Sequence, residues 1–285
     1  MIRFIGLLSI LSVMTSCSVQ AIDVSKPVKT YFICDLQLKD LQGAACYGDY
    51  LFQFTSQDSF NKDRGVLCYS FNDPSSSFFV EMGFNENYHN SHVSFGESYY
   101  DNKDPFPLLY VSENNARNGF FQILVYRIIK NKMGYEMSLV QSIPMPKWVF
   151  DARVSYPHAV VDVDDDCLWI EGYSSDGQKN VFAKFRLPVY PSEVISNDSN
   201  PLVYFEIPRY PITDQSFTVY DNKVFQVLGS QNSGRLRIIE LDSFSVVLDI
   251  QLFDLGLTSE PEAVFIWRGF PCVSFIDGLI YRIVY

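Results

Sequence analysis

Apolar residues in this chain come in short runs punctuated by Gly, Asp, Asn and Pro, and the runs recur in sets. Five segments share one pattern, a first apolar run, a turn and a second apolar run. They are QGAACYGDYLFQF (42–54), HNSHVSFG (89–96) with PLLYVSE (107–113), HAVVDVDDDCLWIEG (158–172), QSFTVYDNKVFQVLG (215–229) and EAVFIWRGFPCVSF (262–275). Each reads as a β-hairpin, because Val, Phe and Tyr fit a pleated surface and Gly, Asp or Asn supplies the turn backbone. A third strand follows each hairpin: GVLCYSF (65–71), FQILVYRI (121–128), VFAKFRL (181–187), LRIIEL (236–241) and LIYRIVY (279–285). A fourth follows in four sets: FFVEMGF (78–84), YEMSLVQSI (135–143), LVYFEI (202–207) and SVVLDIQL (245–252). No window carries an apolar stripe at helical spacing over three turns.

The fifth set stops at Tyr285, whereas KTYFICDLQL (29–38) precedes the first hairpin and belongs to no set of its own. Five four-stranded units, the last completed by the N-terminal strand, predict an all-β fold, a five-bladed β-propeller over 29–285. Residues 29–38 should pair with 279–285, since the fifth blade would otherwise expose an open hydrogen-bonding edge. Two other arrangements stay open at this level: a six-bladed propeller with a degenerate blade within 144–165, and an irregular double sandwich.

Composition agrees with strands, with 24 Phe and 18 Tyr, and charge narrows the partners. A formal net charge of −11 argues against nucleic acid, whose phosphates require clustered Lys and Arg. Beyond Cys17 the cysteines, Cys34, Cys46, Cys68, Cys167 and Cys272, are odd in number and widely spaced, with no zinc-type spacing. Neither a metal finger nor a disulfide scaffold is expected. VDVDDD (161–166) has the look of a calcium loop but lacks the Gly and Glu such a loop needs, and NDS (197–199) is a coincidental glycosylation match.

The N-terminus, MIRFIGLLSILSVMTSC, has one positive charge and an apolar run too short to span a bilayer, so residues 1–16 read as a secretory signal. Met14-Thr15-Ser16-Cys17 resembles the bacterial lipoprotein box. That resemblance implies a lipidated Cys17, a tether over 17–28 and a bacterial cell-envelope location. With no acidic run after Cys17, the outer membrane facing the periplasm is the favoured site. The implied partners are the membrane, through the anchor alone, and an envelope protein.

Counting seven residues back from each hairpin turn gives Gln42, His89, His158, Gln215 and Glu262. The first strand of a propeller blade lines the central channel, so these five are expected to form one polar ring. By strand parity His92 should face away from His89, into the packing between sheets or onto a bulge. Three readings compete for the ring: a water-lined channel, a binding site for a small polar molecule or glycan, and an enzyme. In the enzyme His89 or His158 would be the general base, with Glu262 or Asp151 orienting or polarising. No cofactor motif is present; a divalent metal held by two histidines and a glutamate is chemically reasonable. Tyr99, Tyr100, Phe106 and Trp148 lie in or beside long connections and are candidates for exposed contact surface.

The blade pattern resembles the propeller class of gluconolactonase-like, strictosidine-synthase-like and NHL proteins. More narrowly, QG followed by YGDYLFQF, HNSHVSFG, FPLLYVSE and EPEAV resembles secreted or lipid-anchored propellers of Bacteroidetes that have no assigned reaction. The resemblance implies a lipid-anchored propeller that binds a polar molecule or scaffolds an interaction. The alternative is a lactonase-like hydrolase or lyase using channel His and Glu residues, with or without a metal.

Overall fold

The computed structural model describes residues 27–55, 65–81, 89–115, 120–132, 134–188 and 200–285. Cys17, the signal segment 1–16, most of the 17–28 tether and residues 197–199 lie outside the described residues.

The chain opens with β1 (Lys29–Asp35) and then builds blade I from β2 (Leu41–Tyr47), β3 (Tyr50–Thr55), β4 (Gly65–Ser70) and β5 (Phe78–Glu81). Blade II holds β6 (His89–Phe95), β7 (Leu109–Asn115), β8 (Phe120–Asn131) and β9 (Gly134–Pro144). A short helix α1 (Lys147–Asp151) leads to blade III, with β10 (Ser155–Asp162), β11 (Cys167–Tyr173), β12 (Lys179–Arg186) and β13 (Val203–Pro208). Blade IV is β14 (Asp214–Tyr220), β15 (Lys223–Leu228), β16 (Arg235–Glu240) and β17 (Ser245–Gln251), and blade V adds β18 (Pro261–Trp267), β19 (Phe270–Phe275) and β20 (Leu279–Val284). Each blade is a four-stranded antiparallel sheet, and the fifth has the order β1-β20-β19-β18. The protein is a five-bladed β-propeller whose last blade is completed by its N-terminal strand.

Closure is specific in register. Lys29 faces Val284 and Asp35 faces Leu279, with one irregularity between Phe32 and Cys34. Just past β1 the Leu36 amide donates to the Gly278 carbonyl at 3.0 Å. Gly278 has φ of 94°, and a Cβ there would lie 2.5 Å from the Leu38 carbonyl oxygen, so the crossing demands glycine.

Why the strands read as near-continuous apolar runs follows from the stacking of blades. A strand inside a blade has neighbours on both faces, so both alternating sets must be apolar. In β11, Leu168 and Ile170 pack toward blade II while Trp169 packs toward blade IV. In β15, Val224 packs toward blade III and Phe225 and Val227 toward blade V. Five apolar clusters result, one per blade interface; the last joins Leu41, Ala44 and Leu51 of blade I to Ala263, Phe265 and Ile280 of blade V. Fully buried rings such as Phe52, Phe182 and Phe217 each contribute about 1.5–3 kcal/mol of burial.

Phe106 is a correction to the surface reading. It is 5% exposed and packs edge-on against Phe52 in the interface between blades I and II. Trp148 is half-buried against Phe185 and Tyr204, whereas Tyr99 and Tyr100 are exposed. The cysteines among the described residues are unbridged. No helix among them is long and apolar enough to cross a membrane.

Candidate functional site

Antiparallel strands put successive connections on alternate faces of the ring. The front is the face where the innermost strands β2, β6, β10, β14 and β18 begin, and the back is where they end in hairpin turns. All five innermost strands carry a β-bulge near their front ends. It falls between Leu41 and Ala44, His89 and His92, Ser155 and His158, Asp214 and Ser216, and Pro261 and Ala263. A bulge sets extra residues against the partner strand and re-aims the side chains around it. Gln53 holds the first of them, its amide donating to the Gln42 carbonyl at 2.7 Å and to the Gly43 carbonyl at 3.2 Å.

These bulges decide where the predicted ring residues go. Gln42, Gln215 and Glu262 lie within bulges, His158 closes one and His89 opens another, so equal spacing from the turns does not place the five at one level. Gln42 donates to the carbonyl of its own neighbour Leu41 at 2.9 Å. Gln215 bridges two blades, donating to the Gly229 carbonyl at 2.9 Å and to Glu260 at 2.8 Å. Glu262 is 4% exposed. The backbone of His89 pairs with Asn114, and its side chain lies outside the described residues. Asp151 stands apart, exposed at the end of α1 and paired with Lys147 at 2.9 Å.

His92 is buried at the close of a bulge, as expected of it: three residues from His89 to His92 lie opposite two from Asn114 to Ser112. The His92 ring stacks on His158 of the next blade at 4.0 Å between centroids and 16° between planes. It also meets Phe217 of blade IV at 5.3 Å. Wholly buried, His92 of blade II is thus held against residues of blades III and IV. His158 keeps partial exposure and is the member of the stack that solvent reaches.

Behind the stack lies Glu171, 1% exposed, which no spacing argument singled out. Its Oε1 accepts from the Asn180 amide at 3.0 Å and from the Gln226 amide, and its Oε2 lies 4.0 Å from His92 Nε2. Asn180 donates in turn to Asp214 at 2.6 Å. Arg237 Nη1 donates to Gln226 Oε1 at 3.4 Å, extending the network to the interface with blade IV. A glutamate inside the otherwise apolar run CLWIEGY was the available signal, because a carboxyl sandwiched between blades has no packing reason to be there.

Electrostatics make this a neutral cluster rather than an ion pair. Burial, with His158 alongside, pushes His92 well below the usual imidazole range. Burial and the charge of Asp214 push Glu171 well above the usual carboxyl range, against the opposing pull of Gln226, Arg237 and Asn180. Burial raises Asp214 to about 6, opposed by Asn180, Arg209, Tyr173 and Arg237. Burial, then Glu260 and Asp40, raise Glu262 to about 8. Tyr156 lies in the blade III bulge, exposed, with φ of 51°, a left-handed backbone unusual for an aromatic residue.

Comparison with known proteins bears on the fold. No protein-family model matches the chain, and no curated protein matches it. Among solved structures it is similar to an exo-β-1,3-galactanase from Phanerochaete chrysosporium, at 10% identity and a TM-score of 0.53 over 87% of this chain and 60% of that one. A glucose dehydrogenase is similar at 10% identity and a TM-score of 0.52, over 90% of this chain and 99% of the other. The chain therefore spans three fifths of the galactanase and essentially all of the dehydrogenase.

Among the described residues no three His, Cys, Asp or Glu side chains converge to hold a metal ion. The His92, His158 and Glu171 set is a stack of two imidazoles with a buried carboxyl behind it.

Proposed function

We propose that the front mouth is an acid–base site of hydrolase or lyase type for a small polyhydroxylated substrate, a lactone or glycan, with His158 as the group that meets it. The observation that carries this is the stack of part-exposed His158 on buried His92, with Glu171 behind it. Two imidazoles in such contact hold at most one positive charge between them. Burial keeps His92 neutral, so a proton taken from substrate or water stays on His158, from which it can be returned to a leaving oxygen. Glu262, protonated up to about pH 8, is the second group able to donate at the front. Perturbed carboxyls gathered beside a strained backbone are the usual company of a working site.

The test is a panel of sugar lactones and uronate-containing glycans, read by acid release for hydrolysis and by ultraviolet absorbance of an unsaturated product for elimination. Turnover lost in His158→Ala and in His158→Gln, with melting unchanged, is the expected result. Saturable binding without turnover in the parent protein would sink the catalytic reading. It would leave a binding site for a polar molecule or glycan, met by the part-exposed His158.

The same proposal places the propeller at a bacterial envelope through a lipid on Cys17, beside the outer membrane and facing the periplasm, where an envelope protein would be its macromolecular partner. The lipoprotein-box resemblance at 14–17 supports it. Cys17→Ser should move the protein from the membrane fraction to the soluble fraction, and unchanged membrane association would refute the anchor.

A further inference from the structure

The back end of the channel is a different environment from the front. All five blades line a well of about 880 Å³ there. The apolar part of its lining, the larger part, is formed by Ala45, Val93, Val161, Val219, Phe265 and Ile266. Thr218, Tyr47 and Tyr220 bring hydroxyls to the lining. Cys46 adds a thiol that burial holds in its neutral form. Ser94, also in the lining, already spends its hydroxyl oxygen on the Val161 amide at 2.7 Å.

The rim has one polar arc, where the hairpins of blades I and V meet. Arg268 donates to Asp49 through Nε at 3.2 Å and Nη2 at 2.9 Å, and its guanidinium lies 4.7 Å over the Trp267 ring. Asp49 also accepts from Asn72 at 2.6 Å and Trp267 at 3.3 Å. The ion pair of the arc is internally neutralised, and Glu97 in the lining adds a further carboxylate. A carboxylate or phosphate would have to compete with Asp49 for Arg268 while facing Glu97. An uncharged head that both accepts and donates meets the arc without that conflict.

We propose that the back well is a second binding site, separate from the front mouth, for a small amphipathic molecule with a compact apolar body and an uncharged hydrogen-bonding head, of the class of medium-chain alcohols and amides. The volume falls within the range of small-molecule sites, and the apolar wall with a few fixed polar groups is the arrangement such ligands use.

The test uses N-phenyl-1-naphthylamine, an uncharged fluorescent probe, on the full chain. One saturable site per chain is expected, from which 1-decanol displaces the probe about ten-fold more effectively than decanoate at neutral pH. Thr218→Phe, which fills the well from β14, should weaken probe binding by about ten-fold with the far-ultraviolet dichroism unchanged. Should that variant misfold, Val163→Trp at the mouth of the well serves the same purpose. Three results would overturn the proposal. These are binding that is non-saturable or survives in both filled variants; displacement of the probe by decanoate as effective as by decanol; and a dimer, seen by sedimentation, that excludes the probe and falls apart in Arg268→Glu, making a second copy the occupant.

Discussion

The two ends of one channel, built by the same five strands, differ in almost every physical respect. At the front the strands are bulged, His158 stacks on His92, and His92, Glu171, Asp214 and Glu262 have their proton affinities displaced. At the back the strands run in regular register into hairpin turns, the wall is apolar, and the fixed charges sit on the rim. Regular pleating sends alternate side chains into the blade interfaces, which are mostly apolar. A bulge suspends that alternation on each innermost strand, and the buried polar network of Glu171, Asn180 and Gln226 lies on regularly paired strands beside these bulged ends. In this propeller the polar chemistry sits beside irregular backbone rather than at equal residue spacing.

Removing what the two ends share should give the largest effect. Deleting residues 29–38 takes away β1 and leaves β20 as an open edge next to blade I. Cooperative unfolding should disappear, with an insoluble or protease-sensitive product, and both ends should be lost together. A soluble, cooperatively melting deletion product would show that the ring does not depend on its N-terminal strand.

The next test breaks the front alone. Glu171→Ala removes the acceptor of two buried amides and opens a gap between blades III and IV, a loss of about 4 kcal/mol. Glu171→Gln keeps an oxygen for those amides and mimics the protonated carboxyl, so it should cost less than about 1 kcal/mol near neutral pH. Chemical denaturation separates the two. Equal losses for both variants would mean that Glu171 is ionised in the folded protein, contrary to the assignment above.

The fold was legible because it rests on a repeat. Apolar runs around turn residues are imposed by burial on both faces, and the orphan strand 29–38 revealed the closure by arithmetic alone. The site was less legible, for an equally physical reason. Its geometry depends on where each innermost strand bulges, and nothing in HNSHVSFG or QGAACYGDY announces a bulge. Equal spacing therefore grouped Gln42, Gln215 and Glu262, which lie within bulges, with His158, which closes one. Glu171 was readable as a carboxyl in an apolar strand, but its partners Asn180, Gln226 and Asp214 come from three other strands that only the assembled ring brings together.

A third experiment sharpens the contrast through pH. Glu262 has a folded value of about 8 against an ordinary 4.5, so the folded state holds its proton more tightly than the unfolded state. Its contribution to stability is complete below the ordinary value, declines as pH rises and is lost once pH passes about 8. Glu260 and Asp40 are the charged groups that push in this direction. Glu262→Gln should leave melting nearly unchanged at pH 4.5 and raise stability by about 3 kcal/mol at pH 9. A variant whose pH profile runs parallel to that of the parent would remove Glu262 from the set of displaced groups.

The smallest expected effect belongs to the back rim. Tyr47 and Tyr99 share a hydroxyl–hydroxyl contact of 2.5 Å, and both side chains are substantially exposed. Water replaces an exposed hydrogen bond at little cost, so Tyr47→Phe should change stability by less than about 0.5 kcal/mol. The hydrogen bond to Tyr99, with burial, raises the Tyr47 phenol above its ordinary value, which keeps it neutral throughout the range in which Glu262 titrates. Asp49, lowered mainly by Arg268, stays ionised over that range, because its stabilising effect is lost only in stronger acid. The small effect of Tyr47→Phe should therefore be the same at pH 5 and pH 9, while that of Glu262→Gln grows across the interval. If the back-rim variant showed a pH-dependent melting shift comparable to that of the front variant, the two ends would be titrating as one system rather than as two environments.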